Sequence, residues 1–195
     1  MNIFFHFSIT GFSNSYLIGG DEGGDAVLVD PGVMDKELLN LIEENGYYVR
    51  YVLLTHRHDA HVGGIRIINR IYQTEVYANT MTILDSPVHS VSDGEEFFLG
   101  DIRVKAIQVP GHSSDSLVYQ IGNALFTGDV LLSGKIGSTT TELSRSLLIR
   151  SIMEKLFNLN ESCMIFPGHG PPSTLKAEKF FNPDIHLGLN HGQHG

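Results

Sequence analysis

The chain has a single cysteine, Cys163, among 195 residues, so no internal disulfide framework holds it together and a reducing compartment suits it. That cysteine sits in "SCMIF", which reads as a buried strand, a setting in which thiols are usually inert. Basic residues are scarce: 13 Lys and Arg against 22 Asp and Glu leave a formal net charge of −9. With no basic patch and no basic run interleaved with aromatics, a nucleic-acid surface is not expected. No apolar run nears the roughly 18 residues of a membrane-crossing helix. The opening "MNIFFHFSITGFSNS" lacks the basic region and cleavage site of a signal peptide and reads as a first strand. A cytoplasmic location, with no membrane partner, is the expectation. A G-x-S-x-G element is also missing, which removes one common route to a serine nucleophile.

What is present fits one globular domain over residues 1–185: 42% of the residues are hydrophobic and 18% charged. Strands and helices alternate without a linker. "NIFFHF" and "SYLIGG" read as strands joined by a polar turn, and "AVLVDPG" as a buried strand stopped by Pro31 and Gly32. "DKELLNLIEEN" carries Leu38, Leu41 and Ile42 at helical spacing with Gly46 just past its end. "YVRYVLLT" returns as a strand, and "VGGIRIINRIY" reads as a helix that begins near Val62. Hairpins are expected at Gly100-Asp101 and Gly122-Asn123, then a helix over "SRSLLIRSIMEKLFNL" and a strand in "ESCMIFPGHG". This order predicts a layered α/β sandwich rather than a purely parallel sheet. The closing "HLGLNHGQHG", residues 186–195, with His186, His191 and His194, reads as a flexible tail.

The chemistry falls at strand ends. His56, His58, Asp59 and His61 follow "YVLL", His112 follows "IQV", Asp129 follows "ALFTG", and His169 follows "MIF". A lone histidine after a strand is usually a surface residue, and Asp after "TG" is often a cap. Apolar runs that each end in His or Asp are harder to explain as separate turns. Neutral imidazoles and carboxylates suit zinc, iron or manganese. His56 and His58, two apart on an extended segment, point the same way.

On these residues the chain resembles the metallo-β-lactamase superfamily, over nearly its whole length. The slots of its pattern hold Asp30, "HRHDAH", His112, Asp129 and His169. It is most similar to the short, single-domain relatives of glyoxalase II, whose closing stretch "FPGHGPPSTLKAEKFFNP" resembles. The resemblance implies an αβ/βα four-layer sandwich with two divalent metal ions in a shallow groove. It assigns His56, His58 and His112 to the first ion, His61 and His169 to the second, Asp129 to both, and Asp30 to support of the histidine loop. It also implies a hydroxide generated by the metals that attacks a small-molecule substrate.

Two departures stand out. The superfamily motif H-x-H-x-D-H calls for Asp at position 60, where this chain has Ala60, with Asp59 one place early. Either Asp59 takes over as a catalytic carboxylate beside Asp129, or it caps the following helix or faces solvent. If that turn is helical, a one-place shift turns the carboxylate by about 100°. The second departure is Ser138-Thr139-Thr140 where the short relatives carry an Arg-x-Asp element. Hydroxyls cannot pair with a carboxylate as an Arg fork does. No helical domain follows "FFNPDI", so tight recognition of a glutathione thioester is not expected.

The reading that follows is a metal-dependent hydrolase of a small thioester or ester. A non-hydrolytic metal- or oxygen-binding module is the alternative that Ala60 supports. A small phosphodiesterase is the third.

Overall fold

The computed structural model describes residues 1–84 and 86–186. In chain order its elements are β1 (Asn2–Ser8), β2 (Ser13–Gly19), β3 (Gly24–Val29), α1 (Lys36–Glu44), β4 (Tyr47–Leu53), α2 (Asp59–Val62) and α3 (Ile65–Ile71). Then come β5 (Glu75–Ala78), β6 (Thr82–Ile83), β7 (Ser86–Pro87), β8 (His89–Ser90), β9 (Glu96–Leu99), β10 (Ile102–Gln108), β11 (Leu117–Ile121) and β12 (Ala124–Gly128). The last are β13 (Leu131–Leu132), β14 (Lys135–Ile136), α4 (Glu142–Ser151), β15 (Met164–Pro167), β16 (Ser173–Thr174) and α5 (Leu175–Phe181).

Two six-stranded sheets carry the fold, ordered β1-β2-β3-β4-β5-β8 and β16-β15-β12-β11-β10-β9. Their strands are apolar on both faces where they are central, as "AVLV" in β3 and "ALF" in β12 show. Such strands need cover on both sides, and three separate cores supply it. Between the sheets lie Tyr16, Val27, Val29, Leu53, Leu117, Tyr119 and Phe126. Leu38, Ile42, Ile65 and Ile68 of α1 and α3 pack on the outer face of the first sheet. Leu148, Ile149 and Leu175 of α4 and α5 pack on the outer face of the second. Helices outside and sheets inside make the expected αβ/βα four-layer sandwich.

The local signals work as their chemistry dictates. Asp35 caps α1 by accepting from Leu38 N–H at 2.9 Å, and Gly46 (φ +65°) ends it in the left-handed conformation. Hairpins turn at Gly100 and Gly122, both with positive φ. The structure departs from expectation in three places. The polar turn ends two residues earlier than expected: Ser13 and Asn14 lie buried inside β2 together with Ser15. The helix after the histidines starts at Asp59, as the single turn α2, before α3 resumes the direction. The long helix expected to residue 159 leaves α-geometry after Ser151 and closes with a π-turn, Phe157 N–H reaching Ile152 O at 3.1 Å. Cys163 is buried, as its strand context predicts. The tail from residue 187 on, with His191 and His194, lies outside the described residues. His186 contacts Phe180 O through Nε2 at 2.9 Å. Among the described residues no helix is long and apolar enough to cross a membrane.

Candidate metal centre

Parallel pairing of β3 with β4, and of β12 with β15, brings four strand ends to one edge of the sandwich. Asp30 follows β3, the run from Thr55 to His61 follows β4, Asp129 follows β12, and the His169 loop follows β15. His112 comes from the loop between β10 and β11. Asp30 itself is held at φ +48°, a conformation that Asp tolerates better than most side chains.

Among the described residues, two groups of donor atoms converge: His56, His58, His112 and Asp129 in one, and His61, Asp129 and His169 in the other. In the first, His58 Nδ1 lies 3.0 Å from both His56 Nε2 and His112 Nε2. Asp129 Oδ2 is 3.9 Å from His56 Nε2 and 3.8 Å from His112 Nε2. In the second, Asp129 Oδ2 is 3.5 Å from His61 Nε2 and Oδ1 is 2.7 Å from His169 Nδ1. All six residues singled out in the sequence as metal ligands therefore meet in these groups. Asp59 does not. It is an exposed residue in the first turn of α2, which His58 caps in backbone terms without a side-chain bond. It lines an open groove of about 530 Å³ beside the histidines, together with Arg57, His58, Thr82, Ser113 and Asp115. Arg57 Nε donates to Asp115 there at 2.9 Å.

Hydrogen bonds behind the donors fix which nitrogen faces inward. Asp30 accepts from Thr55 N–H at 2.7 Å and from Thr55 Oγ–H at 2.6 Å, and its Oδ2 is 3.2 Å from His61 Nδ1. Since the Thr55 hydroxyl donates to Asp30, it accepts from His56 Nδ1 at 3.0 Å. His112 Nδ1 donates to Ser138 O at 2.8 Å. With Nδ1 engaged by these partners on His56, His61 and His112, it is the Nε2 atom of each ring that faces the centre.

The electrostatics suit a cation. Burial, then the neighbouring His61, lowers the His56 pKa to about 3, so its imidazole is neutral. Burial also lowers that of His112. Burial would lower His61 as well, but Asp30 and Asp129 outweigh it and raise it to about 10. For Asp129, burial would favour the neutral acid, yet His169 and His61 hold the carboxyl well below its usual range. Among the described residues His61 Nε2 is buried with no hydrogen-bond partner, an arrangement that native interiors rarely tolerate without a ligand. Neighbouring nitrogens around a tetrahedral zinc, at ligand distances of 2.0–2.1 Å, lie about 3.3 Å apart. The 3.0 Å separations seen here are close to that spacing. The donor set fits divalent metal.

Several residues at this edge carry no motif signal. Asn14 Nδ2 donates to Pro167 O at 2.9 Å and to Gly170 O at 2.7 Å, and so holds the loop of His169. Tyr16 O–H also donates to Pro167 O, at 2.7 Å. Ser13 Oγ–H donates to Ala60 O at 2.7 Å, tying the start of β2 to α2. A polar triplet inside an otherwise apolar strand was the available clue to these roles.

Comparison with known proteins agrees with this geometry. The chain is 28% identical to the crystal structure of ETHE1 from Myxococcus xanthus, with a TM-score of 0.84, covering 98% of this chain and 91% of that one. A second solved structure, determined in a di-iron-bound form, is 28% identical with a TM-score of 0.74, covering 88% of this chain and 94% of that one. A Bacillus subtilis protein named "Probable metallo-hydrolase YqgX" is 27% identical over 88% of this chain and 91% of its own length. The family model of the metallo-beta-lactamase superfamily matches residues 9–169, from the β1–β2 turn to the last histidine of the centre. With this fold and this match, the chain belongs to the metallo-beta-lactamase superfamily.

Proposed function

We propose that the chain is a metal-dependent hydrolase of a small ester or thioester. The observation that carries this reading is a pair of donor groups sharing Asp129, with His58 of the first group also lining an open groove. His56, His58, His112 and Asp129 would hold one ion, and His61, His169 and Asp129 a second. Divalent metal at such a site supplies Lewis acidity both to a substrate carbonyl and to a water molecule.

The chain's own residues prepare the site for that chemistry. Thr55, Asp30 and the Ser138 carbonyl hold three imidazoles with Nε2 facing inward. The groove admits a small acyl group next to His58, with Ser113 and Thr82 as hydrogen-bonding partners. Arg57 is already paired with Asp115, so it adds no free cation to attract a strongly anionic substrate. This disfavours glutathione-like thioesters and favours uncharged acyl groups.

The test is reconstitution with zinc, iron or manganese followed by a panel of small thioesters and esters. His56→Ala and His112→Ala are expected to lose both metal and activity. Full hydrolysis by either variant would refute the proposal. A metal-binding module without turnover is favoured by one observation, the exposed position of Asp59, which leaves the second group with three donors. Two metals per chain with no hydrolysis across the panel would establish that reading instead.

A further inference from the structure

The β13–β14 hairpin and the loop after it touch two of the metal-ligand candidates at once. His112 Nδ1 donates to Ser138 O. One residue earlier, Gly137 passes so close to Asp129 that a Cβ there would lie 1.7 Å from Asp129 O and 3.1 Å from His112 Nδ1. The position of this loop therefore sets both the backbone of Asp129 and the ring of His112. Two carboxylates from the far C-terminal part of the chain hold the loop. Glu178 of α5, buried, accepts from Gly134 N–H at 3.0 Å, Asn182 Nδ2 at 2.7 Å and Ser173 Oγ–H at 2.5 Å. Asp184 accepts from Ile136 N–H at 3.0 Å through Oδ2 and from Arg145 of α4 at 2.9 Å through Oδ1. A buried carboxylate surrounded by neutral donors alone is a costly choice for simple packing. Here each carboxylate takes one backbone N–H, of Gly134 or Ile136, from the hairpin that leads to Ser138, and the side chains of Ser173, Asn182 and Arg145 hold the carboxylates themselves.

We propose that Asp184 and Glu178 are positioning residues for the metal centre, which fix the Ser138 carbonyl and, through it, the orientation of His112. This rests on reading the two donor groups as a metal centre. Neither carboxylate touches the centre, so their effect reads out in metal affinity and ligand geometry. Partners behind a metal-binding histidine typically change affinity by about 10–100-fold when removed.

The experiment uses the full chain, stripped of metal and titrated with Co(II) alone, following visible absorption and competition with a chelator. Asp184→Ala is expected to raise the dissociation constant about tenfold and to shift the absorption bands. Asp184→Asn keeps an oxygen that accepts from Ile136 N–H and is expected to restore most of the affinity. Lys179→Ala, which breaks the pair between Lys179 of α5 and Glu161 without touching the loop, is expected to change neither quantity. Should Asp184→Ala not fold, Arg145→Ala removes only the anchor of Asp184 and is expected to weaken Co(II) binding in the same direction. Wild-type affinity and spectrum in Asp184→Ala, with only a lowered melting temperature, would overturn the positioning role. If the wild-type chain itself takes up no Co(II), the metal-centre reading fails and this inference with it.

Discussion

Thr55→Val is the substitution that isolates the hydrogen-bond relay behind the histidines. Valine keeps the shape of threonine, so packing is conserved and only the hydroxyl is lost. Among the described residues that hydroxyl is the sole hydrogen-bond partner of His56 Nδ1 and one of three donors to the Asp30 carboxylate. Both groups are buried, with Thr55 1%, His56 2% and Asp30 2% exposed, so water cannot replace it. An orphaned buried donor costs about 1–3 kcal/mol, and a hydrogen bond to a charged group is worth about 1.5–3 kcal/mol. One hydroxyl serves both, so the two costs overlap and a loss of about 3 kcal/mol is expected. A domain with a total stability of 5–15 kcal/mol survives that loss. The second consequence is specific to metal. With no acceptor behind Nδ1, the His56 ring is free to place its proton on either nitrogen, and metal affinity should fall about 10–100-fold. Urea unfolding of the metal-free variant measures the first effect, and zinc competition with a chelator the second. Thr55→Ser, which retains the hydroxyl, should recover the affinity. A Thr55→Val chain that loses stability but binds zinc as wild type does would refute the idea that this relay orients His56.

Other outcomes follow from the same geometry. Asp59→Ala should leave metal content unchanged, because Asp59 lies outside both donor groups; a lost metal equivalent by elemental analysis would refute this. Ala60→Asp returns the motif carboxylate and should raise metal content toward two ions per chain; unchanged content would mean that the second group is already filled. Metal uptake at pH 8 should release a proton from His61, whose pKa is raised to about 10, and none from His56, which is already neutral. Affinity should then rise with pH up to about 10. Calorimetry in buffers of different ionisation enthalpy measures this release, and zero release at pH 8 would contradict it. In the metal-free chain the sign for stability is opposite. The pairing of protonated His61 with Asp30 and Asp129 stabilises fully below about pH 6.5 and is lost as pH rises through about 10.

Much of the fold was legible in the sequence because its signals are local. Apolar runs, a capping aspartate at Asp35 and glycines at hairpin tips each act within a few residues. That these six His and Asp side chains meet was legible because they all follow apolar strands. Ser13 and Asn14 fall in the expected turn because their composition is turn-like, whereas β2 already begins at Ser13 and runs on through Ser15. They are tolerated in a buried strand only because the carbonyls of Ala60, Pro167, Gly170 and Asp30 accept their donors, and those partners are distant in sequence. The start of α2 at Asp59 was equally hidden. It depends on the close approach of Gly63 and Gly64 to the backbone of Gly32 and Pro31, where a Cβ would lie 2.5 and 2.7 Å from their carbonyl oxygens. The role of Ser138 is carried by its backbone oxygen, which no side-chain pattern reveals.

The division of the candidate donors between the sheets has a consequence for how the protein would be assembled around an ion. His56, His58 and His61 come from the half of the chain that builds the first sheet, and His112, Asp129 and His169 from the half that builds the second. Neither half alone contains a complete donor group. An ion held by these groups would therefore stabilise the docked sandwich more than either half alone, by an amount set by its concentration relative to its dissociation constant. Metal availability would then act as a quality check on folding, retaining chains whose two halves have met in register and leaving misdocked ones exposed to proteolysis.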